Sequence, residues 1–300
     1  MDVAEPILEL GLTGAAYAAP VSGGPGVGFN EHELVSPASV MKVQIALTIE
    51  NLSKRGKIDA SMPRLVPAVP RTPGPTGMSL MSDDVTISIR DLVVAMLTIS
   101  DNVATDDLIA LAGLEEINRT TRELGLEQTK IVSDVCQMLD DIAHEVGFED
   151  FNALSAHNPE TDGHPSSAES AARIESSAAL DPSRGSRTTA FETVSLLQAI
   201  WTDRAGDPGA CQTVRRCMES QLTRNRIASG FDASVKVAAK SGALLRVVRN
   251  EAAVVELPGG PTIAIAVFTR KTDDNKTNPA VIDHAIGRVA RLLVDEISRT

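Results

Sequence analysis

The stretch Ser36-Pro37-Ala38-Ser39-Val40-Met41-Lys42-Val43-Gln44-Ile45-Ala46-Leu47 decides how this chain is read. Ser36-Pro37-Ala38-Ser39 ends an irregular segment, and the apolar spacing from Val40 to Leu52 predicts a buried helix. Ser39 and Lys42 stand three residues apart at its start. On a helix that spacing puts both on one face, with Cβ atoms about 5–6 Å apart, so an amine can reach a hydroxyl. A helix N-terminus adds free N–H groups and a positive dipole where an oxyanion can be held. Serine and lysine also meet at this spacing by chance, so the pair gains meaning only from what surrounds it.

Upstream, Ser22-Gly23-Gly24-Pro25-Gly26 reads as a turn between two short strands. Downstream, Pro63 to Pro75 reads as an extended surface crossing. Helices are predicted from Arg90 to Thr98, from Asn102 to Leu111 and, after Gly113, from Leu114 to Leu124. Val135 to Val146 has helical spacing, and His157 to Ala168 reads as a loop. Thr188 to Trp201 is helical, with Thr188 or Thr189 as its cap, and Cys211 to Leu222 continues in that style. Then the period changes. Val235 to Ala239, Ala252 to Leu257 and Thr262 to Thr269 read as consecutive antiparallel strands, with Pro258-Gly259-Gly260 as a turn. Val281 to Ile297 is an amphipathic helix with Ile282, Ile286, Val289, Leu293 and Ile297 on one stripe. The expected fold is α/β plus all-α, an antiparallel sheet flanked by helices with an inserted helical domain. Residues 1–36 and 206–300 would form the sheet domain. Residues 37–205 would form the helical domain, carrying the Ser39 helix and an Ω-loop-like segment.

Composition narrows the function. The chain has 300 residues, 43% hydrophobic and 23% charged, as in ordinary folded proteins. Its 28 Lys and Arg face 40 Asp and Glu, and a net charge of −12 repels phosphate backbones, so nucleic acid is not an expected partner. No apolar run approaches ~18 residues, so no membrane partner is expected. Three scattered cysteines, Cys136, Cys211 and Cys217, suggest no disulfide framework and fit a reducing compartment. Met1-Asp2-Val3-Ala4-Glu5 does not read as the basic start of a signal peptide, so the expected location is cytoplasmic. His144, His157 and His164 lack metal-ligand spacing, so no metal is expected. Gly23 to Gly28 contains a proline and reads as a turn rather than a phosphate loop, and no cofactor is expected.

Two further short motifs lie in order after Ser39. Ser100-Asp101-Asn102 sits between two helices, where it also reads as a plain N-cap. Lys240-Ser241-Gly242 falls at the end of a predicted strand. Together with Ser39-Val40-Met41-Lys42, these resemble the signature of class A β-lactamases and penicillin-binding proteins. The resemblance covers about residues 30–298 and is closest to class A.

The resemblance implies roles. Ser39 would be the nucleophile and form an acyl-enzyme. Lys42 would be its proton partner, acting while neutral or through a water. Ser100 would relay a proton to the leaving group, and Asn102 would hold Lys42 and a substrate amide. Lys240 and Ser241 would bind a substrate carboxylate, with Arg249 supporting them or serving only as a surface strand charge. The N–H groups of Ser39 and Ala243 would form the oxyanion hole. The implied partner is a small molecule bearing a carboxylate.

The family's deacylating glutamate is harder to place. One alignment of Arg173-Ile174-Glu175-Ser176-Ser177-Ala178-Ala179-Leu180-Asp181 makes Glu175 the base. The other aligns Leu180-Asp181 with the family's Leu-Asn pair, which puts Ser177 at the glutamate position and leaves no base. The family's loop is pinned by an arginine–aspartate pair. Here Arg173 and Arg187 occupy those places and would repel, so the loop must be held differently. The acidic stretch from Ser133 to Ser170 is longer than usual and reads as a helical wall or lid of the cleft, or as a solvated insertion. Three functions follow: a β-lactamase, a cytoplasmic esterase or amidase acting on a carboxylate-bearing metabolite, or a non-hydrolytic ligand-binding protein.

Overall fold

Strand-forming sequence near both ends of the chain builds one sheet, and the helical sequence between them packs on it. The computed structural model describes residues 2–156, 167–272 and 275–299. A short helix α1 (Glu5–Leu8) precedes strands β1 (Leu12–Pro20) and β2 (Val27–Phe29). A 3-10 turn, Ala38–Met41, leads into α2 (Lys42–Lys54). Then come β3 (Pro63–Val66), β4 (Val85–Ser88), α3 (Ile89–Thr98), α4 (Asn102–Ala112) and α5 (Leu114–Glu123). They are followed by α6 (Val135–Val146), α7 (Phe151–Ala156), α8 (Ser167–Glu175), α9 (Ala190–Trp201) and α10 (Pro208–Glu219). The chain closes with β5 (Lys236–Leu244), β6 (Val248–Glu256), β7 (Thr262–Lys271) and α11 (Pro279–Ile297).

The five-stranded sheet has the order β2-β1-β7-β6-β5 and is antiparallel throughout. β1 pairs with β7 from Leu12↔Lys271 to Pro20↔Ile263, so the two ends share a sheet as the strand pattern predicts. Successive side chains leave opposite faces of a strand. Ala16, Ala18, Val237, Ala239, Ala253, Val255 and Val267 meet the α11 stripe on one face. Ala15, Ala19, Ala238, Ala252, Val254, Ala264 and Phe268 enter the larger core of α2, α9 and α10 on the other. Both faces are covered, which is why these strands read as nearly continuous apolar runs rather than strict alternation. Side-chain caps start most of the long helices: Ser88, Asp101, Asp134, Thr189, Asp207 and Asn278 each accept a first-turn N–H. Of the two candidate caps for α9, Thr189 makes the bond.

Three local expectations change. The Pro63–Pro75 crossing begins with a real strand, β3, which pairs with β4 in a small second sheet. Its proline is the first strand residue, the place where a missing N–H costs least. Lys240-Ser241-Gly242 lies inside β5, which runs on to Leu244 paired with Val248. α9, which chain order places in the helical insertion, packs directly on β1 and β7. The loop expected from His157 falls outside the described residues as far as position 166, and α8 begins at Ser167. Among the described residues no helix is long and apolar enough to cross a membrane.

One ion cluster anchors α11 to the sheet. Asp283, buried near the start of α11, accepts from Arg226 Nε at 2.8 Å and from Arg249 Nε and Nη2 at 2.7 and 2.6 Å. Removing the carboxylate leaves two largely buried guanidinium groups uncompensated, a change that costs about 3–5 kcal/mol. Asp283→Ala is therefore expected to lower the urea midpoint by that free energy with little change in slope. A midpoint within about 0.5 kcal/mol of wild type would mark the cluster as thermodynamically idle.

Candidate active site

The turn that carries Ser39 is held in a strained shape from three sides. Ala38 has φ +45, a left-handed conformation that is uncommon for a residue with a side chain. Asn250 on β6 donates from Nδ2 to the carbonyls of Ser36 at 2.9 Å and Pro37 at 3.3 Å. Val35 is bridged to Thr188 by paired backbone hydrogen bonds. Gly242 presses in from β5: a Cβ there would sit 2.9 Å from Pro37 O, 3.1 Å from Ser39 N and 3.2 Å from Val40 N. The glycine of the third motif is thus a spacing requirement, letting the edge strand approach the N–H groups beside Ser39. Ser39 itself is half-buried on the turn and lines the cleft with Asn102 and Ala243.

Ser100 ends the α3–α4 junction with φ +60, which turns its carbonyl toward α2. Lys42, fully buried as the first residue of α2, donates to that carbonyl at 2.7 Å, to Ser100 Oγ at 3.3 Å and to Asn102 Oδ1 at 2.8 Å. Lys240, also fully buried, donates to Ser100 Oγ at 3.1 Å and to the carbonyl of Ser241 at 2.8 Å. Two amines therefore converge on one hydroxyl oxygen. A hydroxyl accepts twice and donates once, so with both amines donating, the Ser100 proton is left for a further acceptor.

Burial penalises both charges. Loss of water pulls Lys42 down to about 7, with Asp106 and Asp101 partly opposing it. Lys240 lies well below the ordinary lysine range, first through burial and then through repulsion by Lys42 and Arg226, against the pull of Glu251. Both amines are thus pushed toward their neutral forms in a dry environment, and an anionic ligand beside them would favour their charged forms.

Residues that the motifs did not flag complete the frame. Buried Gln221 accepts from Ser241 N through Oε1 and donates from Nε2 to Glu251 Oε1 at 3.2 Å. Glu251, opposite Ser241 on β6, accepts from Ile227 N at 2.6 Å. Arg226 donates from Nη1 to the carbonyls of Gly242 at 2.8 Å and Asn250 at 2.6 Å, so one guanidinium spans β5 and β6 behind the cleft. These are isolated polar residues in apolar surroundings, and sequence spacing carries no signal for them. Arg249 sits directly opposite Ala243, with its Nε and Nη2 committed to Asp283. Asp101 caps α4 and accepts from Met78 N at 2.8 Å, a structural task. Asn102 binds Lys42 through its oxygen and donates through Nδ2 to Pro73 O at 2.8 Å.

The late loop departs from both alignments' simplest outcome. Glu175 is the last residue of α8 and is not among the cleft-lining residues. Ala179 reaches the cleft instead. Asp181 turns to its own loop, accepting from Ser183 N, Ser183 Oγ and Arg184 Nε, which holds its carboxyl down at about 2. Among the described residues, no carboxylate lines the cleft around Ser39. Ser177 is buried with no hydrogen-bond partner for its Oγ. The loop is held by Arg270 of β7, which donates to the carbonyls of Leu180 and Glu175, and by Glu145 of α6, which accepts from Ala178 N. This replaces the missing arginine–aspartate pair; Arg173 instead donates to Val146 O, and the Arg187 backbone pairs with Lys130. The acidic stretch forms a wall, since α6 presents Val135, Met138 and Leu139 to the cleft. His144 Nε2 donates to Glu149 O, whereas His157 and His164 lie outside the described residues.

An antiparallel sheet, a helical layer over it and a serine between two buried lysines define the β-lactamase-like serine hydrolases. The family model described as "Beta-lactamase enzyme family" matches residues 9–297, and this chain belongs to that family. It is 27% identical over 309 residues to the β-lactamase regulatory protein BlaB of Streptomyces cacaoi, covering 99% of this chain and 96% of that one. Its fold is similar to that of a β-lactamase from Sphaerobacter thermophilus DSM 20745, with TM-score 0.75, 20% identity and coverage of 99% and 97%. It is also similar to a mutant of PBP-A in its acyl-enzyme complex with penicillin G, with TM-score 0.74, 17% identity and coverage of 100% and 97%.

Gly242→Val is expected to separate β5 from the nucleophile turn and reduce any Ser39-dependent acylation by at least about 10-fold, since a small misplacement of reacting groups costs that much or more. Circular dichroism checks that the fold survives. Full activity in a folded variant would show that the close approach is not needed.

Proposed function

We propose that this protein is acylated at Ser39 by carboxylate-bearing β-lactams or related amides and esters, and that it releases the acyl group slowly. The observation that carries the first half is the convergence of Lys42 and Lys240 on Ser100 Oγ, at 3.3 and 3.1 Å. Neutral Lys42 takes the Ser39 proton as Oγ bonds to the substrate carbonyl carbon. The N–H groups of Ser39 and Ala243 receive the oxyanion. The C–N or C–O bond then breaks as Ser100 gives its proton to the leaving atom, and Lys42 returns a proton to Ser100. The substrate carboxylate docks by Lys240 and Ser241, with Arg249 one strand away opposite Ala243. Its negative charge offsets the buried amines.

The second half rests on the cleft wall. Attack of water on an acyl-enzyme needs a general base, and no described carboxylate lines the cleft. Ser177 stands where one alignment puts the family's glutamate, and a hydroxyl is too weak a base at neutral pH. A lasting adduct suits a protein that senses or captures an acylating ligand better than one that destroys it. The relationship to a protein named as a β-lactamase regulator supports that side of the reading.

Intact-protein mass spectrometry with a penicillin, beside turnover of a chromogenic cephalosporin, tests both halves. Wild type is expected to gain a long-lived adduct that Ser39→Ala lacks. Rapid turnover without an adduct would overturn slow release, and an adduct that persists in Ser39→Ala would overturn the nucleophile. The acylation rate is expected to rise with pH through about 7, because Lys42 must lose its proton to act as the base. A flat profile from pH 6 to 8 would exclude that role.

A further inference from the structure

One carboxylate near the cleft has no part in these steps. Asp106 lies on α4 one turn beyond Asn102, on the same helix face. Its Oδ1 accepts from Val135 N at 2.7 Å, and its Oδ2 accepts from Cys136 N at 2.9 Å and Thr72 Oγ1 at 2.7 Å. Two bonds go to the first turn of α6 and one to the loop at Thr72. Val135 begins α6 and lines the cleft, while Thr72 precedes Pro73, whose carbonyl holds Asn102. We propose that Asp106 is a positioning residue for acylation: its carboxylate ties the α6 wall and the Thr72 loop to α4, one turn from the Asn102 oxygen that holds the Lys42 amine. This deepens the reading of Ser39 acylation and rests on it.

The charges that face this pair are few. Lys42 meets Asp106 and Asp101 from α4 and Lys240 from β5. Asp106 meets Asp134 and the Cys136 thiol from α6. Burial raises Asp106 to about 6, while the two N–H groups and the Thr72 hydroxyl pull it back. It is therefore mostly ionised at neutral pH, and its charge favours the protonated form of Lys42. Burial of Lys42 works the other way. The lysine is poised near neutrality by the difference between the two effects. Without the Asp106 charge, Lys42 would lose its proton at lower pH.

The test follows the lysine directly. In protein labelled with 13C-lysine, the side-chain signal of Lys42, assigned with Lys42→Gln, is titrated by NMR in wild type and Asp106→Asn. The asparagine keeps the size and one acceptor but removes the charge. Its midpoint is expected to fall by about 1 pH unit, the usual effect of one nearby charge. The acid limb of the penicillin acylation profile should move with it, whereas a merely structural role would lower the rate and leave the limb in place. Thr72→Val keeps the carboxylate but removes a donor to its charged form, so it should shift the midpoint the same way by less. It serves if Asp106→Asn fails to fold. An unmoved Lys42 midpoint in a folded variant overturns the proposal. A shifted midpoint in a protein that penicillin never acylates supports the Asp106 coupling and overturns the Ser39 reading instead.

Discussion

Two amines and one hydroxyl in a dry interior set the terms for the rest of this molecule. An ammonium group taken out of water loses several kcal/mol of hydration, so it must be met by polar partners or give up its proton. Lys42 and Lys240 do some of each. They come from α2 and β5 and meet at Ser100, which the positive φ of the α3–α4 junction carries between them. That meeting requires the edge strand to lie hard against the Ser39 turn, and Gly242 is the residue that makes it possible. The sheet must in turn present β5 as an edge, so β1 joins β7 on the far side and leaves the cleft strand open.

Much of this was legible because it repeats. Nearly continuous β-rich apolar runs marked the last three strands, the long stripe marked α11, and the three motifs lay in an order specific to one family. Ser100-Asp101-Asn102 admitted two readings, an N-cap and a site, and the structure shows how one tripeptide has room for both. Asp101 caps α4 while its neighbours turn to Lys42. The illegible part is the polar frame. Gln221, Arg226, Glu251 and Asp283 each answer a buried group that arrives from another part of the chain. Such matches have no period, so only the folded arrangement reveals them.

The late loop shows a different limit. Arg173 and Arg187 stand in the sequence where the usual arginine–aspartate pair would be. What replaced it came from elsewhere: Arg270 on β7 binds two loop carbonyls, and Glu145 on α6 binds a loop N–H. A backbone carbonyl is a target that no residue type advertises. The same substitution changes what the loop brings to the cleft, since Ala179 rather than a carboxylate faces it.

The bond from Asn250 to the Ser36 carbonyl joins residues 214 apart in sequence. During synthesis, the serine turn therefore emerges long before the strands that brace it. A growing chain has no β6 to hold Ala38 in its strained shape until residue 250 has been made. A product truncated before residue 250 would carry the Ser39 motif without the bonds that shape its turn.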